Sequence, residues 1–308
     1  MAIDKEKNIM KALERNPKVS VCVVTYNHEK YIRQCLQSIV DQITDFEFEV
    51  IVGDDASTDG TTDIVREFSD RYPGKIIPVL HEKNVGPAEN YFSVHNIAKG
   101  KYIAHLDGDD YCLPMKLQVQ SDLLDSDSNC NIVFHRMLVQ KSNGEISNAR
   151  QPDINTIGEI YFDRKSIIQY IAIASHSSKM YRKSVREFDL VSFDMLDYYV
   201  NVEQVGAGTA RVISDGYFGV YRAGIGISSA GIKTRLMLKD CFLHFCKKYP
   251  EYRLQVNTAA LTYFLADLKN WRKTWPMFLG VWLVTFHIGS MFNLLRSLKF
   301  MKQLRLTN

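Results

Sequence analysis

Lys101-Tyr-Ile-Ala-His-Leu-Asp-Gly-Asp-Asp110 decides how the rest of the chain is read. Its first six residues form a short apolar run of the kind that makes a buried strand. Leu113-Pro114, just beyond it, opens a helical pattern. Three carboxylates in four residues at a strand's carboxyl end repel one another, which is tolerable only in water or beside a cation. Hard oxygen ligands around a glycine suit Mg²⁺ or Mn²⁺, ions that carry phosphate oxygens rather than fill an all-protein cage. A solvated acidic turn is the other reading, and these four residues alone do not choose. An EF-hand loop does not fit, because Cys112 stands where its glycine belongs and Gln118 where its bidentate glutamate belongs.

Outward from this stretch the chain alternates strand and helix. Residues 19–24, Val-Ser-Val-Cys-Val-Val, are a β-branched run typical of a strand covered on both faces. Tyr31, Ile32, Cys35, Leu36, Ile39 and Val40 follow at helical spacing. Residues 46–52 form a second strand, and a helix with Ile64, Val65 and Phe68 on one face comes after it. Residues 75–80 form a third strand, and Asn84 to Asn90 lead into a third helix. This rhythm specifies an α/β fold, a doubly wound and mainly parallel sheet with helices on both faces and right-handed crossovers. Ligands of such sheets gather at the carboxyl ends of the strands. Thr25–Glu29, Asp54–Thr58 and Asp107–Asp110 all fall there.

Past Asp127 the rhythm changes. Residues 131–139 and 145–146, around Asn143-Gly144, predict a hairpin. Residues 177–181 read as a short strand, 194–205 as a helix with Asp194 at its N-cap, and 208–214 and 216–222 as two strands. Residues 229–270 are helical with a break at Pro250. The division that follows is a lead-in over 1–17, a domain over 18–228 and a C-terminal helical extension over 229–308.

Bulk properties narrow the function. The chain has 308 residues, 46% of them apolar, and a net charge of +3, too small by itself to imply a nucleic-acid partner. Six cysteines without a Cys-x-x-Cys pair read as reduced thiols in a cytoplasmic setting. The first fifteen residues are charged and lack the apolar core of a signal peptide. Gly206-Ala-Gly-Thr-Ala-Arg211 fails as a dinucleotide loop, since arginine takes the third glycine's place and a helix precedes it. No Gly-x-x-x-x-Gly-Lys-Ser/Thr sequence is present, and Gly226-Ile-Ser-Ser-Ala230 lacks the closing glycine of a hydrolase elbow.

Four motifs in order carry a resemblance. Val19-Ser-Val-Cys-Val-Val-Thr-Tyr-Asn27, Gly53-Asp-Asp-Ala-Ser-Thr-Asp-Gly-Thr61, Asn84-x-Gly86-x-x-x-Asn90 and Gly100 to Asp110 resemble the signatures of family 2 glycosyltransferases of the GT-A fold. The likeness is close over about 18–125, the nucleotide-binding half, and looser over 126–228, the acceptor half. It implies that Val24 and Tyr26 border the nucleotide base, that Asp55 accepts hydrogen bonds from it, and that Asn84 belongs to the same binding set. It also implies that Asp107 reaches the ribose or the metal, and that Asp109 ligates a Mg²⁺ or Mn²⁺ bridging the diphosphate. Ser57, Thr58 and Asp59 suit capping of the next helix. The catalytic base implied is Asp197, before Tyr198-Tyr199. Arg222 would meet phosphate, although Gly224 stands where many relatives have histidine.

The activity implied is inverting transfer of a sugar from a nucleotide diphosphate, UDP being favoured. The acceptor would be a saccharide or lipid-linked hydroxyl, in bacterial surface-polysaccharide assembly. A metal-dependent nucleotidyltransferase or a non-catalytic sugar-nucleotide-binding domain are the alternatives. His176 is a candidate for lining the acceptor pocket.

Residues 275–295 are uncharged, and residues 270–308 carry Arg272, Lys273, Arg296, Lys299, Lys302 and Arg305 with no acid. Polar dilution and basic flanks on both sides suit a helix lying in the cytoplasmic leaflet of the cell membrane. A helix packed on the catalytic domain or on a dimer partner is the other reading.

Overall fold

The computed structural model describes residues 16–148, 160–189, 191–194, 197–224 and 231–304. Most of the expected lead-in and the segment 225–230 lie outside these residues. Strands β1 (Val19–Thr25), β2 (Phe48–Asp54), β3 (Ile76–Leu80) and β4 (Tyr102–Asp107) alternate with helices α1 (Glu29–Val40), α2 (Thr61–Arg71) and α3 (Pro87–Ile97). β1 pairs in parallel with β2 and β4, and β2 in parallel with β3. After the short β5 (Tyr111–Cys112) come α4 (Lys116–Ser126), β6 (Cys130–Gln140), β7 (Ile146–Asn148), β8 (Ile160–Phe162), α5 (Arg164–Tyr170), β9 (Met180–Arg182), α6 (Asp197–Val205) and β10 (Thr209–Arg222). The sheet order is β3-β2-β1-β4-β9-β6-β10-β5. β9 runs antiparallel to both β4 and β6, so the winding reverses beyond β4.

Burial explains the parallel half. Val19, Val21 and Val23 face α1 and α2 in one core with Ile32, Leu36, Ile39, Val65 and Phe68, while Cys22 faces α3 and bonds the carbonyl of Val94. With both faces covered, β1 has no polar side chain exposed, and each large aliphatic group so buried stabilises the fold by roughly 1.5–3 kcal/mol. Helix α1 buries Ile32, Cys35, Leu36 and Ile39, the i, i+3, i+4, i+7 stripe of an amphipathic helix.

Two sequence expectations change. The two strands expected over 208–214 and 216–222 are one, β10 (Thr209–Arg222), since Gly216 at φ +87° turns the backbone without ending it. Residues 177–181 split into a 3₁₀ turn, His176–Ser178, and β9. The expected helix start at Asp194 runs into residues 195–196, which lie outside the described residues; α6 is described from Asp197 onward, and the Asp194 carboxylate pairs with Lys233 at 3.0 Å.

The chain groups into two compact units, the first comprising 1–149, 174–187 and 212–226, and the second 150–173, 188–211 and 227–308. In the second unit α7 (Ile232–Lys248), α8 (Arg253–Lys269), α9 (Trp275–Val284) and α10 (Ser290–Leu304) pack together. The Asp267 carboxylate anchors them, accepting from Arg235 Nε at 2.9 Å, Thr274 Oγ1 at 2.5 Å and Arg272 Nη1 at 3.3 Å.

Gly100 shows how tightly β1 and β4 are joined. Its N–H donates to Ser20 Oγ at 2.8 Å, and a Cβ there would lie 2.5 Å from the Ser20 backbone nitrogen. Backbone cannot yield as a flexible side chain does, so Gly100→Ala should destabilise the protein by about 1–3 kcal/mol. Urea unfolding followed by circular dichroism would measure it; an unchanged midpoint would refute this account of the β1–β4 seam.

Candidate active site

The site is built at the carboxyl ends of β1, β2 and β4. Thr25 is paired with Asp54 and Val24 with Asp107, so three loops leave the sheet side by side. Backbone bonds extend the pairing, Asp55 N donating to Thr25 O at 3.0 Å and Gly108 N to Val24 O at 2.8 Å. Side chains then fasten the first loop to the second. Asn27 N donates to Ser57 Oγ at 2.9 Å, Thr58 N to Asn27 Oδ1 at 2.8 Å, and His28 N to Thr61 Oγ1 at 2.8 Å.

Capping in this loop crosses between helices. Asp59 accepts from Thr61 N at 3.0 Å at the start of α2 and from Glu29 N at 3.1 Å at the start of α1. Asp54, fully buried, accepts from the hydroxyls of Ser57 and Thr62 and is a strut of the same loop.

The residues expected to hold a nucleotide sit along this rim. Tyr26 is 43% exposed, leaving its ring face open. Asp55 is buried, with Oδ1 accepting from Val85 N at 2.6 Å and Oδ2 from Gly86 N at 3.0 Å. The Asn84 side-chain amide donates to the Asp55 carbonyl at 3.3 Å. Asp55 and Asn84 therefore brace the 84–86 loop against β2, and a base N–H would add a second bond to an oxygen that already accepts one.

The acidic turn is held from three sides. A Cβ on residue 108 would sit 2.7 Å from Thr25 Oγ1 and 3.1 Å from His28 Nδ1, so only glycine fits between Asp107 and Asp109. Ser177 Oγ accepts from Asp107 N at 3.1 Å and donates to Asp107 Oδ2 at 3.0 Å. His105 Nε2 lies 3.1 Å from Asp107 Oδ1, His105 Nδ1 lies 3.0 Å from His95 Nε2, and His95 Nδ1 lies 2.7 Å from Tyr181 Oη. Lys116 Nζ, fully buried on α4, donates to Ser177 O at 2.7 Å.

These surroundings separate the three carboxyls. Burial raises the Asp107 pKa, but the hydrogen bond and charge of His105, with His176 and Ser177, outweigh it and hold the group well below the usual carboxylate range. Burial and the negative charge of Asp107 push Asp109 up, against the opposing pull of His28 and Arg222. Burial, then Asp107 and Asp109, push Asp110 up as well. Asp110 Oδ1 accepts from Arg222 N at 2.9 Å, while its buried Oδ2 has no hydrogen-bond partner among the described residues.

Arg222, expected at phosphate, is turned toward the protein. It donates to the Asp109 carbonyl and to Gln34 Oε1, and its guanidinium lies 5.0 Å from the Tyr31 ring centre and 4.8 Å from that of Tyr111. Its described bonds fix the acidic turn in place. Asp197 is the first described residue of α6, in the second unit, with Oδ1 accepting from Tyr198 N at 2.8 Å.

A cation fits this chemistry. Two carboxyls raised by burial and by the charge of Asp107, one of them with a bare oxygen, are what a hard divalent ion relieves. Sequence reasoning missed His105 and named His176 only as a candidate for the acceptor pocket. His105, Asp107 and His176 bring one ligand atom each to within 4.8 Å of one another, and the buried His176 Nε2 has no hydrogen-bond partner among the described residues. The signal in the sequence was His105, two residues before Asp107 and so on the same face of β4.

The Asp110 shift predicts a pH effect with a definite sign. Its folded pKa exceeds the unfolded value, so ionisation opposes folding once the pH rises above about 3.9. With chelator present at pH 7, Asp110→Asn should stabilise the protein by about 1–3 kcal/mol, because the amide carries no charge to be desolvated. The gain should vanish as the pH falls toward 4, where both side chains are neutral. Asp107 works in the opposite sense, its contribution being present above that pH and lost below it. Thermal unfolding between pH 4 and 8 would check this; a variant less stable than wild type at pH 7 contradicts it.

Comparison with known proteins supplies the family. The profile described as Glycosyl transferase family 2 matches residues 20–188, which include Val24, Tyr26, Asp55, Asn84, Asp107 and Asp109. An uncharacterized protein of Mycobacterium tuberculosis is 32% identical over 206 residues, 66% of this chain and 58% of that protein, so the chain covers little more than half of that relative's length. Residues 1–349 of TarS from S. aureus, solved with UDP-GlcNAc, superpose with a TM-score of 0.64 at 21% identity, over 93% of this chain and 81% of that one. The mannosyltransferase PcManGT of Pyrobaculum calidifontis, solved with GDP-Man and Mn²⁺, gives a TM-score of 0.55 at 15% identity, over 98% and 92%. With its sheet, its rim of motifs and this match over more than half its length, the chain belongs to glycosyl transferase family 2 and has the GT-A fold.

Proposed function

We propose that the protein is an inverting glycosyltransferase that moves one sugar from a nucleotide diphosphate to a hydroxyl of a saccharide or lipid-linked acceptor. The setting proposed is bacterial surface-polysaccharide assembly, at the cytoplasmic face of the cell membrane. The observation that carries it is the convergence of Tyr26, Asp55, Asp107 and Asp109 on neighbouring strand ends, within the segment that matches the family. A UDP-sugar is the favoured donor, supported by the fold shared with the UDP-GlcNAc complex of TarS.

Residues 18–125 would hold the nucleotide and 126–228 the acceptor. The open ring of Tyr26, next to Val24, stacks on the base, and Asp55 accepts from a base N–H with its remaining lone pairs. Asp109, with Asp107, would hold Mg²⁺ or Mn²⁺, whose chemistry when bound is to neutralise charge on the leaving diphosphate. Arg222 keeps that turn in register. Asp197 takes the acceptor hydroxyl proton while the freed oxygen bonds to the anomeric carbon, on the face opposite the departing diphosphate oxygen. One displacement inverts the configuration.

A nucleotidyltransferase is disfavoured by the loop after β1. That loop is built from Asn27 and His28 bonded to the 57–61 turn, where a glycine- and arginine-rich phosphate loop would be needed.

Donor hydrolysis separates these readings. With UDP-sugar and Mn²⁺ the wild type should release UDP, and Asp109→Ala should reduce release at least 100-fold (about 2.7 kcal/mol). A binding module would show no release to lose. Asp197→Asn should leave the UDP dissociation constant within about twofold and slow transfer by roughly 10²–10⁴. Equal losses in binding and turnover would remove Asp197 from the role of base.

A further inference from the structure

Helix α10 is inside out. Ser290, Leu294 and Ser297 are buried, and Asn293 donates inward to Gln169 Oε1 at 2.8 Å and Thr258 Oγ1 at 3.0 Å. Met291, Phe292, Leu295 and Leu298 face outward, Phe292 being 71% exposed. A helix on a water-facing surface shows the reverse arrangement, polar outside and apolar inside.

The corner before α10 repeats the inversion. Thr285 is buried, while Val284, Phe286 and Ile288 project outward, Ile288 with 88% of its surface bare. This corner is not a loose loop. Asn257, fully buried on α8, donates to Trp282 O at 2.7 Å and to Thr285 Oγ1 at 2.9 Å, and accepts from His287 N at 3.0 Å. Arg253 donates to the carbonyls of Phe286 at 3.1 Å and Val284 at 3.0 Å. These donors satisfy the last carbonyls of α9 and end it, so residues 275–295 are two helices rather than the single one expected from the sequence. No helix among the described residues is long and apolar enough to cross a membrane.

We propose that this rigid corner, led by Val284, Phe286, Ile288, Met291, Phe292 and Leu295, docks in the plane of an anionic lipid bilayer. Charge selects the occupant. Arg253 is fixed at the base of the apolar corner, the exposed Arg296 lies one helical turn beyond Phe292, and from residue 268 to the end there is no acid. Basic side chains at headgroup level beside buried apolar ones are what holds an in-plane helix to anionic lipid. A second copy of the chain fits less well, because a two-fold contact sets each patch against itself and would bring these arginines into mutual repulsion. The inference gives residues and orientation to the membrane contact of the proposed function, and it rests on that reading only for the nature of the acceptor.

Flotation of the purified full chain with vesicles tests it. Vesicles of phosphatidylcholine with about one third phosphatidylglycerol should bind it at least tenfold better than phosphatidylcholine alone, and 0.5 M salt should weaken the binding. Ile288→Glu with Phe292→Glu should lower binding at least tenfold without changing the unfolding temperature, since both side chains face out. Arg296→Glu should lower it severalfold. Equal binding to neutral vesicles, or full binding by the double variant, overturns the proposal. So does a concentration-dependent dimer, seen by sedimentation velocity, that the double variant abolishes while vesicles capture nothing. Donor hydrolysis without vesicles should be the same for the double variant and wild type. Vesicle binding by a protein that releases no UDP would leave the docking surface standing and defeat the transferase reading instead.

Discussion

Crowded negative charge at the end of β4 is the constraint on which the first unit depends. Asp107, Asp109 and Asp110 leave one buried strand within four residues, and burial alone would drive all three toward the neutral form. The fold breaks the symmetry. His105 and Ser177 bond Asp107 and keep it ionised, which leaves Asp109 and Asp110 to absorb the repulsion. Much of the surrounding architecture serves that choice. Tyr181 and His95 back His105, and buried Lys116 holds the turn that carries Ser177. Arg222 braces the turn from behind, its backbone N–H bonding the Asp110 carboxylate and its guanidinium the Asp109 backbone carbonyl, while its charge pulls against the rise of Asp109.

This arrangement explains the reversal of sheet direction at β9. A fifth parallel strand would need another crossover helix over the rim. The antiparallel β9 instead follows directly from the His176–Ser178 turn and delivers Ser177 and His176 beside Asp107 from the far side. β10 reaches the same turn from the other edge, pairing with β5 and carrying Arg222 at its end. The parallel half presents the motifs, and the antiparallel half holds the acidic one in place.

Local pattern made the parallel half legible in the sequence. Val19 to Val24 could be little else than a strand covered on both faces, and the helices between strands bury most of the residues their spacing marked, with Tyr31, Val40 and Ile64 half-buried. What the sequence could not show was long-range bonding. Asp55 and Arg222 were assigned to ligands by resemblance, and both turn out to spend hydrogen bonds on the protein, with partners about 30 and more than 100 residues away. No spacing rule reports such a pair. His95 and His105 were passed over for the same reason, each reading as one ordinary histidine until the fold puts them 3.0 Å apart.

The C-terminal misreading has a different cause. Hydropathy along residues 275–295 registers composition, and an uninterrupted apolar stretch looks alike whether its residues point inward or outward. Its polar residues Thr285, His287, Ser290 and Asn293 read as dilution of a membrane helix, yet in the structure Thr285, Ser290 and Asn293 face the protein. Taken as internal contacts, they predict both the break after Val284 and the outward turn of Phe292 and Ile288. A polar residue within an apolar segment therefore carries directional information that an average discards. It can mark the side that must find hydrogen-bond partners, and so leave the apolar side to whatever medium lies beyond.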